Sequence, residues 1–321
     1  MSQQEILDLK AAVGARIIGQ QGLIERLLVA ILADGHLLVE GAPGLAKTRA
    51  IKVLGEGIEG SFHRVQFTPD LLPADLTGTE IYRPQDGSFK FQQGPLFHNL
   101  ILADEINRAP AKVQSALLEA MAERQITVGS ETYPLPEVFL VMATQNPLEQ
   151  EGTYPLPEAQ LDRFLMHVRV DYPDAAEEKA ILELTRDEAR SGKRQESAAA
   201  AVISQQGLLQ ARNDVLDIHL DASLEDYIVE IVLATRSAQR YGEELGGWIQ
   251  HGASPRASMA LDRCARAYAW LDNRDYVVPE DIQLLAPDVL RHRIILSFAA
   301  EAEGRTADSC IDALLSRVAI P

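Results

Sequence analysis

Hydrophobic and polar positions follow two different patterns along this chain, and the change falls near residue 172. Before it, short apolar runs are separated by stretches of helical spacing, and four of the five runs lack the strict alternation of a half-exposed strand. Such runs are typical of strands in a parallel sheet that helices cover on both faces. The five runs are 36–40, 62–67, 99–104, 138–144 and 165–170. We therefore predict an α/β domain built on a five-stranded parallel sheet.

Two more segments in this first part have the pattern of β-hairpins. An Asp-Gly pair at 86–87 separates two short strand-like runs, and Gly129-Ser130 lies in the middle of another such segment. Glycine next to a small polar residue favours the tight turn that joins antiparallel strands. We predict hairpin insertions near 81–91 and 125–135, added to the sheet-and-helix frame.

Beyond Tyr172 the pattern becomes helical. The predicted helices are 175–190, 205–214, 224–240, 257–271 and 279–290, and a polar, alanine-rich link covers 191–201. Pro173 and Pro279 fit helix starts, since proline is favoured in the first turn. A chain of 321 residues is long enough for two domains. We predict an α/β domain over 1–172 and an all-α domain over 173–321.

Composition and charge narrow the class of protein. The chain has 47 acidic and 30 basic side chains, a net charge of −17, and 46% hydrophobic residues, which is ordinary for a folded protein. Binding along a nucleic acid needs clustered lysine and arginine, so the acidic balance argues against that partner. The apolar runs are too short to span a membrane, the first residues lack a secretory signal, and the two cysteines lack metal or disulfide spacing. We expect a cytoplasmic protein with no membrane span.

The most specific motif follows the first predicted strand and opens a helix. It nearly matches the phosphate-binding P-loop, with Ala46 where a second glycine is common. Glycines let backbone amides turn toward phosphate oxygens, and the helix N-terminus adds partial positive charge. The predicted ATP-binding residues of the loop are Gly41, Ala42, Pro43, Gly44, Leu45, Ala46, Lys47 and Thr48. Within it, Lys47 is expected to reach the β and γ phosphates and Thr48 to bind Mg²⁺.

An acidic pair ends the third predicted strand, as in a Walker B motif. Asp104 is predicted to hold Mg²⁺ beside Thr48, and Glu105 to polarise the water that attacks the γ phosphate. Standing alone, Asp-Glu is also a common acidic turn at the end of a strand. Together with the P-loop, the pair favours ATP hydrolysis over phosphorylation of a second substrate.

Two further polar residues extend the predicted site. Asn146 follows the run 138–144 and is placed to orient the attacking water, although Asn-Pro is also a common turn. Arg163 lies just before the last predicted strand. It is either a surface charge at a helix end or an arginine finger that enters a neighbouring subunit's nucleotide site.

Together these elements resemble the AAA+ ATPases, and more narrowly the MoxR family, over essentially the whole chain. The stretches that carry the resemblance are 16–20, 41–48, 67–78, 94–97, 104–109, 143–147 and 156–164. The Thr-Pro-Asp-Leu-Leu-Pro and Leu-Pro-Glu-Ala-Gln-Leu-Asp-Arg-Phe sequences within them are the more selective ones. The similarity implies an AAA+ α/β/α domain over 1–172 followed by an all-α lid domain over 173–321.

The resemblance also implies roles for individual residues. Ile18 and Gly19 would lie near the adenine, Asn146 would be sensor 1, and Arg163 would be the arginine finger. Arg256, in Ser-Pro-Arg at the head of a lid helix, would be the catalytic and nucleotide-binding sensor 2, although such an arginine can also make surface contacts only. The two hairpins resemble insertions that face the central pore of the ring, and hairpins at loop tips are also often only solvated.

The function implied by the family is ATP-driven remodelling or activation of protein client complexes, often enzymes that need a metal or cofactor inserted. The protein would form a homo-oligomer, a hexameric ring, and act with a partner that carries a von Willebrand factor A domain. ATP and Mg²⁺ are the expected cofactors, and no nucleic acid is expected as a partner. A nucleic-acid-dependent AAA+ motor, a P-loop kinase acting on a small molecule, and a regulatory nucleotide switch are the alternatives.

Overall fold

The computed structural model describes residues 2–45, 47–85, 87–147, 152–191 and 202–321. Predictions for Ala46, for Asp86 and for all but the first residue of the link over 191–201 lie outside these residues. The chain forms two compact units. The first consists of Met1–Leu28, His36–Leu156 and Val168–Leu209, and the second of Val29–Gly35, Pro157–His167 and Gln210–Pro321. The division of domains between residues 172 and 173 stays a prediction.

The regular elements are numbered along the chain. The strands are β1 (Leu37–Gly41), β2 (Phe62–Gln66), β3 (Gly78–Arg83), β4 (Ser88–Gln93), β5 (Leu100–Asp104), β6 (Gln125–Val128), β7 (Glu131–Pro134), β8 (Leu140–Gln145), β9 (Met166–Val170), β10 (Ile249–His251) and β11 (Ile295–Leu296). The α-helices are α1 (Ser2–Gly14), α2 (Gln21–Leu32), α3 (Lys47–Gly57), α4 (Pro73–Thr77), α5 (Ala111–Glu123), α6 (Glu158–Leu161), α7 (Ala175–Ser191), α8 (Gln205–Leu216), α9 (Ala222–Arg236), α10 (Glu243–Trp248), α11 (Pro255–Leu271), α12 (Pro279–Leu290), α13 (Phe298–Ala302) and α14 (Ala307–Leu315). Short 3₁₀ turns cover Pro95–Phe97, Ile106–Arg108 and Ala238–Tyr241.

The central sheet has five strands in the order β2-β5-β8-β1-β9. β2 pairs with β5, β5 with β8 and β8 with β1, each in parallel. The side chains of β5 and β8 are buried except at the last residue of each strand, which explains why their sequences do not alternate. The predicted α/β fold with a five-stranded parallel sheet is confirmed. Because β1, β8 and β5 are neighbours, the residues that follow them meet at one edge of the sheet.

Two antiparallel hairpins, β3–β4 and β6–β7, are added to this frame in the first unit. The ring of Phe91 on β4 stacks on the ring of Tyr133 on β7, with centroids 4.2 Å apart. Gly78 begins β3 with a φ of 94°, and a Cβ atom there would lie 2.2 Å from the carbonyl oxygen of Gln92, so this position requires glycine. The side chains of Tyr82 and Phe89 are exposed. The aromatic stack joins the two hairpins, and the tip of one of them presents apolar surface to solvent.

The second unit is mainly helical, and its core includes Leu261 and Cys264 of α11 and Ile282 of α12, all fully buried. The predicted helix over 224–240 is wrong in its last turn, because Ser237 leaves helical geometry and ends α9 at Arg236. Short helices such as α10 and α13 were not predicted from the sequence, since they span too few residues to show a period. Over the ranges that the structure describes, no helix combines the length and apolar character needed to cross a bilayer.

Candidate active site

A cavity of about 390 Å³ lies in the first unit where β1, β5 and β8 end. Its lining residues are Pro43, Gly44, Leu45, Lys47, Thr48, Arg49, Arg64, Asp104, Glu105, Thr144, Gln145 and Asn146. The cavity therefore brings together the predicted P-loop, the acidic pair and the amide of Asn146, which are far apart in sequence. Parallel strand ends at the centre of an α/β sheet are the usual place for a ligand.

The loop from β1 to α3 has a geometry that its glycines explain. Gly44 has a φ of 87°, and a Cβ atom there would meet nothing within 4 Å, so glycine is needed for the backbone angle and not for space. Gly41 is needed for close approach, because a Cβ atom would lie 2.7 Å from the carbonyl oxygen of Val170. Ala42 and Leu45 are buried, which anchors the loop to the unit. The loop leads directly into α3, whose N-terminus favours anionic groups.

Lys47 is the first residue of α3 and lies in the cavity with its ammonium group held by backbone carbonyls. Its Nζ donates to the carbonyl oxygen of Gly41 and, at 3.5 Å, to that of Gln145. Burial lowers the pKa of Lys47, while the negative charges of Asp104, Glu105 and Glu40 act to raise it. The side chain is thus a half-buried cation in the cavity that also holds the carboxylates of Asp104 and Glu105.

Both oxygens of the Asp104 carboxylate have partners. The hydroxyl of Thr144 on β8 donates to Oδ1 at 2.6 Å, and Nη2 of Arg64 on β2 donates to Oδ2 at 2.6 Å. Sequence reasoning missed Thr144 and Arg64 as members of the site. Arg64 lies two residues before Gln66, which pairs with Asp104 in the β2–β5 register, so strand pairing was the missing information.

Glu105 has a left-handed backbone, with a φ of 56° and a ψ of 52°. A residue with a Cβ atom adopts this region at a cost of about 1–2 kcal/mol, so other contacts must hold it there. Its backbone N–H donates to the Thr144 hydroxyl at 2.9 Å, and its Oε2 accepts from Gln66 Nε2 and from Arg108 Nη1, both at 2.8 Å. These three partners determine where the predicted water-polarising carboxylate lies.

The remaining predicted residues are divided between the two units. Asn146 lines the cavity and is only 7% exposed. Gly19, with a φ of 76°, lies beside Pro173 and Glu177 at the start of α7, and neither it nor the half-buried Ile18 belongs to the cavity lining described above. The adenine contact of these two residues stays a prediction.

Arg163 and Arg256 both belong to the second unit, and one of them lies close to a carboxylate. Asp162, next to Arg163 in sequence, lies 3.5 Å from Nη1 of Arg256 and accepts from the Ser254 hydroxyl at 2.9 Å. Arg256 is about half exposed, and Arg163 is half-buried. The roles of both arginines toward a nucleotide stay predictions.

Comparison with known proteins identifies the family to which this chain belongs. A family model described as the ATPase family associated with various cellular activities (AAA) matches residues 36–166, and a model of the AAA lid domain matches residues 248–314. The chain is 46% identical to Chaperone MoxR1 of Mycobacterium tuberculosis over 95% of its length and 79% of that protein. It is 33% identical to Protein MoxR of Paracoccus denitrificans over 98% of its length and 96% of that protein.

A solved structure extends the similarity to the whole fold. A crystal structure from Cytophaga hutchinsonii, of a protein provisionally described as an ATPase, covers 100% of this chain with a TM-score of 0.91 and 48% identity, and the match spans 96% of that chain. The P-loop, the acidic pair and the five-stranded sheet are the elements that an ATP hydrolase of this class needs. The chain therefore belongs to the MoxR family of AAA+ ATPases and is an ATP hydrolase.

Proposed function

We propose that this ATPase remodels or activates protein client complexes, as a hexameric ring of identical chains that acts with a von Willebrand factor A domain partner. The assignment of ATP hydrolysis is carried by one observation: Lys47, Asp104 and Glu105 line the same cavity. The chaperone part is supported by the name of the 46% identical relative from Mycobacterium tuberculosis. We propose that the clients are enzymes that need a metal or cofactor inserted. The protein would act on them in the cytoplasm, where ATP is supplied.

In this proposal three of the residues that line the cavity act directly in hydrolysis. Lys47 binds phosphate oxygens, exchanging its present carbonyl partners for them. Glu105 accepts the proton of the attacking water, and Asn146 orients that water from the end of β8. Gln66 and Arg108 hold the Glu105 carboxylate in place, so the base does not have to find its position during the reaction.

The residues present also fit a magnesium ion. The hydroxyl of Thr48 and the carboxylate of Asp104 are hard oxygen ligands that line the same cavity, and hard oxygen is what Mg²⁺ prefers. We propose these two residues as its protein ligands. The ion would neutralise charge on the transferred phosphate.

The proposal gives the remaining residues roles at the edges of the site. Ile18 and Gly19 contact the adenine, Arg256 senses the phosphates, and Arg163 completes the site of the neighbouring subunit. In this scheme residues 1–172 form the nucleotide domain and 173–321 the lid. A different set of contacts in the ATP and ADP states would then change the ring during each cycle.

A nucleic-acid-dependent motor is the second candidate, and one surface favours it. A cavity of about 670 Å³ beside the hairpins is lined by Ile81, Arg83, Lys90, Phe91, Gln92, Gln93 and Tyr133. Aromatic rings next to cations are also found where proteins bind single strands. Against this stands the net charge of −17, which disfavours a phosphate track through a ring of such chains.

Two measurements test the proposal: whether the protein retains a protein client in the ATP state, and whether nucleic acid stimulates ATP turnover. We expect the Glu105→Gln protein, expressed in its native cell, to retain a protein client in ATP and release it in ADP. The matched control is Lys47→Ala, which should retain nothing in either nucleotide because its phosphate contact is lost. Single-stranded DNA or RNA should leave the turnover of the unmodified protein unchanged. Stimulation of more than about tenfold by either polymer, with no client retained, would replace the proposal with the second candidate.

A further inference from the structure

Asp162 connects the turn that carries Arg163 with the helix that carries Arg256. It is the C-cap of α6, and its Oδ2 accepts from the hydroxyl of Ser254 at 2.9 Å. Ser254 is the N-cap of α11, and its Oγ also accepts from the backbone N–H of Arg256. The guanidinium of Arg256 lies 3.5 Å from the same carboxylate oxygen. One short chain of hydrogen bonds therefore links the first turn of α11 to the residue before Arg163.

The second oxygen of Asp162 is held by a buried arginine. Arg293, whose side chain is 3% exposed, donates from Nε to Oδ1 of Asp162 at 2.8 Å. The same guanidinium donates to the carbonyl oxygens of Phe164 at 2.6 Å and Leu165 at 3.2 Å. Burial lowers the pKa of Arg293, and the charge of Asp162 acts to raise it. Arg163 is thus preceded by an anchored carboxylate and followed by two anchored carbonyls.

All of these residues lie within the second unit, so the linkage is internal to one compact body. Packed bodies of this kind shift between discrete arrangements and do not deform continuously. A change in the contacts of Arg256 alters the set of partners around Asp162, and Asp162 adjoins Arg163 along the backbone.

We propose that Asp162 is a positioning residue that couples Arg256 to Arg163, so that what Arg256 contacts determines how the same subunit presents Arg163. The coupling rests on the proposed function, in which both arginines act on nucleotides. It adds a residue that relays the state of one site to the turn serving the next.

The kinetic test uses Asp162→Asn, which keeps the shape and one acceptor oxygen but removes the charge that pairs with Arg293 and Arg256. We expect kcat for ATP to fall about five- to twentyfold, while KM changes by less than about twofold, because the ATP-binding loop is untouched. In an Arg163→Ala background the same substitution should lower kcat no further. A loss that multiplies with that of Arg163→Ala would overturn the coupling.

Asp281→Asn is the matched control. Asp281 is also in the second unit, is 3% exposed, and pairs with Arg274 at 2.6 Å, so its substitution breaks a comparable ion pair. Its partners are in the loop before α12 and not in the turn of Arg163. Any effect of Asp281→Asn on kcat should persist at full size in the Arg163→Ala background.

A second measurement does not depend on catalysis. Ser254→Ala removes the hydroxyl that donates to Asp162, and we expect amide hydrogen exchange over residues 158–165 to speed up by at least about fivefold. The control is Thr306→Ala, which removes the N-cap of α14 in the same unit and should leave exchange over 158–165 unchanged. Equal exchange in Ser254→Ala and the unmodified protein would overturn the link itself. If Arg163→Ala keeps normal turnover, the role of Arg163 in the proposed function is wrong, and the exchange measurement decides the link alone.

Discussion

Thr144 donates its hydroxyl proton to Asp104 across the pair of strands β8 and β5, with 2.6 Å between the two oxygens. The same hydroxyl accepts the backbone N–H of Glu105 at 2.9 Å. Thr144 is 1% exposed, so water does not replace these bonds when they are lost. One buried hydroxyl thus connects the two adjacent carboxylates of the site.

Replacing Thr144 by valine should damage both stability and catalysis. Valine keeps the shape but leaves Asp104 Oδ1 and the Glu105 N–H without this partner, which costs about 1–3 kcal/mol of unfolding free energy. We expect kcat to fall by about 10- to 100-fold, because the carboxylates shift relative to the phosphates. Urea unfolding and ATP turnover measure the two effects.

Thr235→Val is the control for this prediction. Thr235 is also 1% exposed, donates to the carbonyl of Val232 and accepts from the N–H of Ala253, but it lies in the second unit. It should lose similar stability and keep its turnover per folded molecule. A Thr144→Val protein with normal kcat would show that the hydroxyl only stabilises the fold.

Glu105→Gln should separate binding from hydrolysis. Glutamine has nearly the shape of glutamate but carries no charge to pair with Arg108. The substitution leaves the P-loop unchanged, so ATP affinity should change by less than about threefold. Without a carboxylate to accept the proton of water, turnover should drop at least about 100-fold. Calorimetric binding of ATP and single-turnover hydrolysis are the measurements. Unchanged turnover would remove Glu105 from the role of base.

Arg163 and Lys47 offer a complementation test of action between subunits. Arg163→Ala proteins keep an intact P-loop, and Lys47→Ala proteins keep an intact Arg163, so each alone should be at least about 100-fold less active. Mixed in equal amounts, they should recover roughly a quarter of normal turnover, because half of the sites keep Lys47 and half of those face an intact Arg163. Mixtures no more active than their components would rule out an arginine finger supplied by the neighbour.

The buried His292 predicts how stability changes with pH. Burial, aided by the charges of Arg293, His167 and Arg291, holds the pKa of His292 well below the ordinary 6.5, although its hydrogen bond to the Phe164 carbonyl acts in the opposite direction. The native state therefore keeps this ring neutral while the unfolded chain protonates it below pH 6.5. The resulting stability is present above that pH and is lost as the pH falls. Between about pH 7.5 and pH 5.5 the loss from this one group is about 1.4 kcal/mol.

His292→Gln should reduce this acid sensitivity, since glutamine keeps a donor for the carbonyl of Phe164 but binds no proton. Unfolding free energies measured in urea across the same pH range should fall less steeply, by about one proton, than those of the unmodified protein. His251→Gln, at an exposed position, is the control and should keep the original slope. Equal slopes in all three proteins would mean that other groups cause the acid sensitivity.

The parts of the site that sequence predicted are those written in contiguous residues. The glycines of the P-loop and the Asp104-Glu105 pair at the end of an apolar run each carry their chemistry within a few positions, and the structure brings them to one cavity. The sheet was predictable for a similar reason, since its central strands β5 and β8 are buried at every residue but the last.

What sequence did not predict depends on register and on backbone conformation. Arg64 reaches Asp104 only because β2 lies beside β5 at the edge of the sheet, and a slip of one residue would point it to the other face. Glu105 contacts Gln66 because its backbone is left-handed, which no pattern of hydrophobic residues signals. The carboxylate shared by Ser254, Arg256 and Arg293 needs three segments of the second unit to pack together.

The stack of Phe91 on Tyr133 has a mechanical meaning for the cavity. The chain runs from β4 through one short turn into β5, which ends at Asp104, and from β7 through a short segment into β8, which ends beside Asn146. Because the two rings stack 4.2 Å apart, the hairpins contact each other, and the joined pair connects to the sheet through both β5 and β8. A force applied to either hairpin is therefore shared between the strand that carries the acidic pair and the strand that carries the amide.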